Sequence, residues 1–204
     1  MTELTVLQAV RLKGRTSLEG LAATLDEDAA DLSAVVGDLA AAGLLIDGAG
    51  LRISPSGRAR LNALLAEERK GIDSAAMTAA HNDFRAVNGD LKSLLTDWQL
   101  KGGPDGTPND HDDAAYDAAV LARLDDVHAR VIPIIGAAAE QVPRLSAYST
   151  KLSAALDKIK AGDTAWLTKP LVDSYHTVWF ELHEEMIVAA GLTREQAART
   201  GDAH

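Results

Sequence analysis

Ser17-Leu18-Glu19-Gly20-Leu21-Ala22, a turn at Asp26, Asp28 to Ala42, Gly43 and then Leu44-Leu45-Ile46-Asp47-Gly48-Ala49-Gly50-Leu51-Arg52-Ile53 decide the fold of the N-terminal third. Ser17 is an N-cap residue for a short helix through Leu25. Asp28 caps the next helix, in which Leu32, Val35, Val36 and Leu39 recur at helical spacing and Gly43 is the stop. Two apolar runs, Leu44-Leu45-Ile46 and Leu51-Arg52-Ile53, flank Asp47-Gly48-Ala49-Gly50, whose glycines suit a hairpin turn. Upstream, Leu4, Val6, Leu7 and Val10 mark a first helix ending near Gly14. Downstream, Ser54-Pro55 combines a cap with a first-turn proline and opens a helix to about Glu68.

Helix, helix-turn-helix, a glycine-turned hairpin and Ile53-Ser54-Pro55-Ser56-Gly57-Arg58 together resemble the MarR-type winged-helix regulators, across residues 1–70. That family has a comparable "L-T-x-x-G-R" entry into the helix after its wing. The resemblance implies a third helix that reads the DNA major groove and dimerisation through terminal helices. The charges oppose a conventional reader. The outer face of the third helix is Asp28, Asp31, Ser33, Ala34, Gly37, Asp38 and Ala41, with no Lys or Arg. Base reading favours Arg, Lys, Asn and Gln, and aspartates repel phosphate. Basic groups stand nearby at Arg11, Lys13, Arg15, Arg52, Arg58 and Arg60. They suit backbone contacts that carry no sequence information. Two readings stay open: a DNA-binding head using Arg11, Lys13, Arg15, Ser33, Arg52 and Arg58, or a head kept for docking or dimerisation.

The chain has 204 residues and a net charge of -10, and it contains no cysteine. Residues 1–70 hold eight Lys/Arg against ten Asp/Glu, so most of the negative charge lies beyond them. No apolar run approaches the ~20 residues of a membrane span, and the start lacks the basic-then-apolar pattern of a signal peptide. The lack of thiols fits a reducing compartment, and a cytoplasmic location is the expectation. Every aromatic residue and every histidine lies beyond residue 80. Two modules with different jobs follow, 1–70 and 73–204.

The second module reads as helices throughout, so the fold class expected is mainly α: a winged helix-turn-helix with a small β-hairpin, then an antiparallel helical bundle. Met77 to Leu100 carries Phe84, Val87, Leu91, Leu94/Leu95 and Trp98 on one stripe. Gly102 to Asp110 reads as a plain loop because of its Gly and Pro content. A helix from about Asp112 presents Tyr116, Val120, Leu124, Val127 and Val131, and Pro133 is expected to kink or end it. Arg144 to Lys160 forms another. Pro170 is expected to open one running to Ala190, and Thr193-Arg194-Glu195-Gln196 reads as a capping box for a last short helix.

Candidate chemistry in this module centres on Arg85, Asn88, Arg123, His176, Trp179 and His183. Polar side chains beside an apolar stripe need partners, since unpaired burial costs about 1–3 kcal/mol each. If they converge in the interior, the arginines suit a small organic acid or a phosphorylated metabolite. The competing reading is an ion-pair network of Arg85 and Arg123 with Asp83, Asp126, Asp173 or Glu184. His176 and His183 with Asp173 also have the donor types of a metal site, but their i, i+7 spacing differs from the usual i, i+4 pair. They equally serve as core histidines, and no metal or other cofactor is assigned. Asn109-Asp110-His111-Asp112-Asp113 lacks the EF-hand glycine and glutamate and reads as an acidic helix start. His183-Glu184-Glu185-Met186 begins like a zinc-hydrolase motif, but Ile187 stands where its second histidine is required. No catalytic constellation is expected.

The tract from Asp97-Trp98-Gln99-Leu100 through Asn109-Asp110-His111-Asp112 to the segment Asp173–Glu185 resembles extensions found with some actinobacterial pyruvate phosphate dikinase-like, phosphoenolpyruvate-utilising proteins, over residues 97–190. Their catalytic histidine tract has no counterpart here. The resemblance implies association with that metabolism as regulator or accessory module. The expectation is a ligand-responsive winged-helix transcriptional regulator, with an accessory module of that metabolism as the alternative. The partners are DNA on the first reading only, a small organic-acid or phosphorylated ligand, and a second copy of the chain, with no membrane.

Overall fold

The computed structural model describes residues 2–192. The chain is mainly helical and divides into two compact units, Met1–Ile72 and Asp73–His204. Among the described residues no helix is long and apolar enough to cross a membrane. The expected capping box at Thr193–Gln196 lies outside the described residues.

In the first unit the elements are α1 (Glu3–Lys13), α2 (Leu18–Leu25), α3 (Ala29–Ala41), β1 (Leu45–Ile46), β2 (Arg52–Ile53) and α4 (Pro55–Glu68). Their ends are chemically specified. Ser17, Asp28 and Ser54 each accept a hydrogen bond from a backbone N–H of the following first turn. Asp26 ends α2 in the left-handed region, which short polar side chains tolerate. Gly43, at φ 71°, ends α3 in a Schellman arrangement: its N–H donates to Ala40 and the Leu44 N–H to Leu39. β1 and β2 pair antiparallel, Leu45 opposite Ile53 and Ile46 opposite Arg52. A further antiparallel bridge joins Thr16, between α1 and α2, to Leu51. Val6, Leu7, Val10, Leu21, Leu32, Val36, Leu39, Leu45, Leu61 and Leu65 fill the core.

The second unit comprises α5 (Ser74–Gln99), β3 (Leu100–Lys101), β4 (Thr107–Pro108), α6 (Ala114–Gln141), α7 (Ala147–Lys160) and α8 (Tyr175–Ala189). The buried residues Met77, Ala80, Phe84, Val87, Leu91, Leu94 and Trp98 alternate spacings of three and four along α5. They meet the Val120, Leu124, Val127 and Val131 stripe of α6. Cross-helix pairs fix the direction: Tyr116 reaches Asp97, Arg123 reaches Ser93, Arg130 reaches Asp90 and Gln141 reaches Asp73. The partner number falls as the α6 number rises, so α5 and α6 run antiparallel. α7 packs on α6, and α8 on both α5 and α7.

Three sequence expectations need correction. The Gly102–Asp110 loop is bracketed by a small hairpin, with Leu100 opposite Pro108 and Lys101 opposite Thr107. Pro108 is tolerated because a two-stranded hairpin has only edge strands, where a missing N–H breaks no interior ladder. Of the two outcomes expected at Pro133, a kink or an end, the second does not occur: α6 continues to Gln141, with Val131 and Ile135 buried on either side. Pro170 does not open α8. Leu171 follows it at φ 63°, off the helical path, and Ser174 caps a helix starting at Tyr175.

Gly57 is where the first unit's backbones come closest. A Cβ built there would lie 2.0 Å from the Leu44 carbonyl oxygen and 2.9 Å from an Ile53 side-chain carbon. Gly89, inside α5, has nothing within 4 Å of that position. Gly57→Ala is therefore expected to cost about 2–3 kcal/mol by overpacking, and Gly89→Ala to add about 0.5–1 kcal/mol through helix propensity. Urea denaturation of the two variants checks the opposite signs.

Candidate functional site

Three places bring chemistry-bearing side chains together. The first is the exposed face of α3 with the β1–β2 hairpin. Asp28, Asp31, Ser33, Ala34, Gly37, Asp38 and Ala41 are all exposed, as the helical period requires. A cleft of about 390 Å³ lies between this face and the hairpin, lined by Ser17, Ser33, Gly37, Asp47 and Gly50 among others. The basic residues around it differ in what they have left to offer. Arg15 directs its guanidinium at the Ala49 carbonyl, Nε at 3.1 Å with Nη2 on the same oxygen, and so ties down the hairpin tip. Arg11 is half-buried, its Nε donating to Gln8 at 2.9 Å. Arg60 is engaged by Glu3 at 2.9 Å, a contact that lowers the Glu3 pKa. Lys13 is half-buried. Arg52 and Arg58 are exposed and form no ion pair among the described residues.

The second place is the interior where α5 meets α8. Trp179 is fully buried and its Nε1–H donates to Asn88 Oδ1 at 2.9 Å. Phe84 packs between Trp179 and His183, with ring centroids 5.0 and 5.4 Å away, and His81 stacks toward His183 at 6.4 Å. α8 is buried on nearly every face, including Glu181, Glu184 and Glu185. Glu185 accepts from Arg144 Nη1 at 2.6 Å with both side chains largely out of solvent. Removing either partner would strand a buried charge. Toward the start of α8, His128 bridges Tyr175 Oη and Ser153 Oγ, each at 3.3 Å. Burial lowers the His128 pKa, and the Lys160 ammonium lowers it further. Burial also lowers His176 and pushes the Tyr175 phenol up.

The third place is where α5 hands over to α6. Asn109 organises it: its Nδ2 donates to the Trp98 carbonyl at 3.0 Å and to Asp117 at 2.8 Å, while its Oδ1 accepts the His111 N–H at 3.1 Å. His111 Nδ1 lies 3.0 Å from Asp117, and the ring sits on Trp98 with centroids 4.4 Å apart. Lys101 neutralises the acidic start, reaching Asp112 at 2.5 Å and Asp110 at 3.1 Å. Asp110 is held down at about 2 by its hydrogen bonds with Asp112 and Lys101. On the same hairpin end, Asp97, Gly102, Gly103, Tyr116, Val120 and Arg123 border an open cleft of about 500 Å³.

The expected convergence of Arg85, Asn88, Arg123, His176 and His183 is corrected by this geometry. Asn88, Trp179 and His183 do share the interior, but Arg123 is exposed and pairs with Asp97 at 2.5 Å. Nor is its carboxylate one of those expected, Asp83, Asp126, Asp173 or Glu184. Arg123 belongs to the period that carries Tyr116 and Arg130 along the margin of the α5–α6 contact, seven residues apart. Arg85 and His176 are half-buried. Among the described residues no group of three His, Asp or Glu side chains is placed to hold a metal ion. Asp97, the clip formed by Asn109 and Asp117, and the Arg144–Glu185 pair were not singled out from sequence. Only the seven-residue spacing signals the first. No protein-family model, curated protein or solved structure matches the chain.

Two outcomes follow from the interior. Asn88→Ala leaves the Trp179 N–H buried without its acceptor and is expected to cost about 1–3 kcal/mol in urea denaturation. For His128 and His176 the folded pKa lies below the ordinary value of 6.5. The unfolded chain then binds protons the folded chain refuses, so their contribution is complete above that value and declines as pH falls below it. The melting temperature is expected to drop between pH 7.5 and 5.5, and less steeply in a His128→Gln/His176→Gln double variant.

Proposed function

We propose that this chain is a winged-helix transcriptional regulator, with a DNA-contacting head and a helical bundle that senses a small carboxylate ligand and supplies a dimer face. The observation that carries the reading is the Thr16–Leu51 bridge, which adds the α1–α2 connection to the β1–β2 pair. A hairpin tied at this point supports reading β1–β2 as a wing, and the short Asp26–Asp28 turn between α2 and α3 supports reading those two helices as a helix-turn-helix. Phosphate contact falls to Arg52 on the wing and Arg58 in the first turn of α4. The α3 face supplies little base recognition, because its charged residues are Asp28, Asp31 and Asp38. Affinity in this mode is dominated by counterion release and is strongly salt-dependent.

One observation favours a second reading, an accessory module that docks on a protein of a phosphoenolpyruvate-utilising system. Arg15, the basic residue nearest the wing tip, is occupied by Ala49, and Asp47 adds to the acidic face of the cleft. Fluorescence anisotropy with duplex genomic fragments separates the two. The regulator reading expects binding at micromolar protein in low salt. Arg52→Ala/Arg58→Ala is expected to weaken it and to lower the slope of log K against log salt by about 2. Absence of any DNA complex at micromolar protein, with a purified dikinase-like protein captured instead, would establish the accessory reading.

A further inference from the structure

We propose that the open cleft at the hairpin end of α5 and α6 binds a zwitterion, an α-amino acid with an apolar side chain, inserted between Asp97 and Arg123. This deepens the sensing role given to the helical unit by naming its ligand class. It uses only residues of that unit, so it stands or falls separately from DNA binding.

Two opposite charges border the cleft. Asp97 Oδ2 and Arg123 Nη1 approach to 2.5 Å across two antiparallel helices, with side-chain exposures of 26% and 44%. An ion pair this exposed to water contributes little, so little is lost when it opens. Arg123 does not swing free on opening, because its Nη2 also reaches Ser93 Oγ at 3.3 Å. The cleft therefore offers one cation and one carboxylate in direct contact, a pair that a ligand parts while Ser93 keeps its hold on Arg123.

The rest of the lining is apolar or backbone. Tyr116 Oη is directed at the carbonyls of Asp97 and Leu100, at 2.9 and 3.3 Å, which leaves its ring as wall. Ala119 and Val120 continue that wall. Gly102 and Gly103, at φ of 95° and 82°, a conformation that disfavours most side chains, add backbone to the lining. The volume of about 500 Å³ falls within the range of small-molecule sites.

Charge matching then selects the ligand. A simple carboxylate would engage Arg123 and leave Asp97 to water, and a simple amine would do the reverse. A zwitterion satisfies both: its carboxylate accepts from the guanidinium, its ammonium donates to Asp97, and its side chain covers the Tyr116–Val120 wall. Net charge in the cleft is unchanged, so no counter-charge has to be recruited.

Calorimetric titration of the full-length chain, without DNA, tests this with L-leucine and L-phenylalanine against 3-methylbutylamine and 4-methylpentanoate. The amino acids are expected to bind with Kd of about 1 mM or tighter, and each singly charged analogue about tenfold more weakly. Arg123→Gln and Asp97→Asn should each weaken amino-acid binding about tenfold, the loss of one charge-assisted contact. Ala119→Phe, at an exposed helix position, should abolish binding by filling the cleft while leaving the circular dichroism and melting temperature unchanged. The proposal is overturned by no saturable binding up to about 20 mM, a ceiling well above the expected Kd. It is equally overturned if the analogues match the amino acids, or if the Ala119→Phe variant or both charge variants bind like the parent.

Discussion

An apolar repeat with alternating steps of three and four holds α5 against α6, and most of the second unit's chemistry follows from it. Met77, Phe84, Leu91 and Trp98 stand seven apart, with Ala80, Val87 and Leu94 between them, all buried. Such a repeat winds two helices along a common seam and fixes which residues flank it. On α6 the flank is Tyr116, Arg123 and Arg130, and their partners descend along α5 as Asp97, Ser93 and Asp90. A slip of one helical turn would separate every one of these pairs. Asn109 prevents it at the hairpin end by binding Trp98, at the end of α5, and Asp117, in the first turn of α6, through one amide nitrogen.

That arrangement explains which parts of the structure were legible in the chain and which were not. Helix ends were legible because single residues set them: Ser17, Asp28, Ser54 and Gly43 act locally, within four residues of their own position. The apolar stripes of α5 and α6 were legible because burial imposes a period. The Leu100–Pro108 hairpin was not, since its strands have two residues each and their stability comes from the Asn109 clip rather than from β-propensity. Pro133 misled for the opposite reason. A 28-residue helix packed along one side tolerates the loss of one backbone hydrogen bond that a shorter helix would not.

The candidate site was legible in its residue types and not in its grouping. Asn88, Trp179 and His183 come together because residues 179 and 183 lie one turn apart on α8 and both meet α5, a local rule. Arg123 lies between two buried residues in sequence, and nothing local distinguishes a flanking position from an interior one. Its assignment depended on the rotation of α6 about its axis, which the partner helix sets. The buried glutamates of α8 were legible only in part, for a related reason. Glu184 was a candidate ion-pair partner, but Glu181 and Glu185 were not, and Arg144, which pairs with Glu185, comes from a segment 41 residues away.

The first unit shows how a fold and its surface charge can be specified by different residues. Gly57 gives way to the Leu44 carbonyl, and Ser54 and Ser56 both donate to the Gly43 carbonyl. Together they seat α4 on the end of α3 without using a charged group. Arg15 is likewise spent on geometry, holding Ala49 so that the hairpin tip keeps its shape. None of these contacts constrains the outer face of α3, which is free to carry aspartates at no cost to the fold. Whatever selects Asp28, Asp31 and Asp38 therefore acts through what that face meets, apart from Asp28's part in capping α3. The formal charges on that face are all negative, while the exposed Arg52 and Arg58 stand outside it.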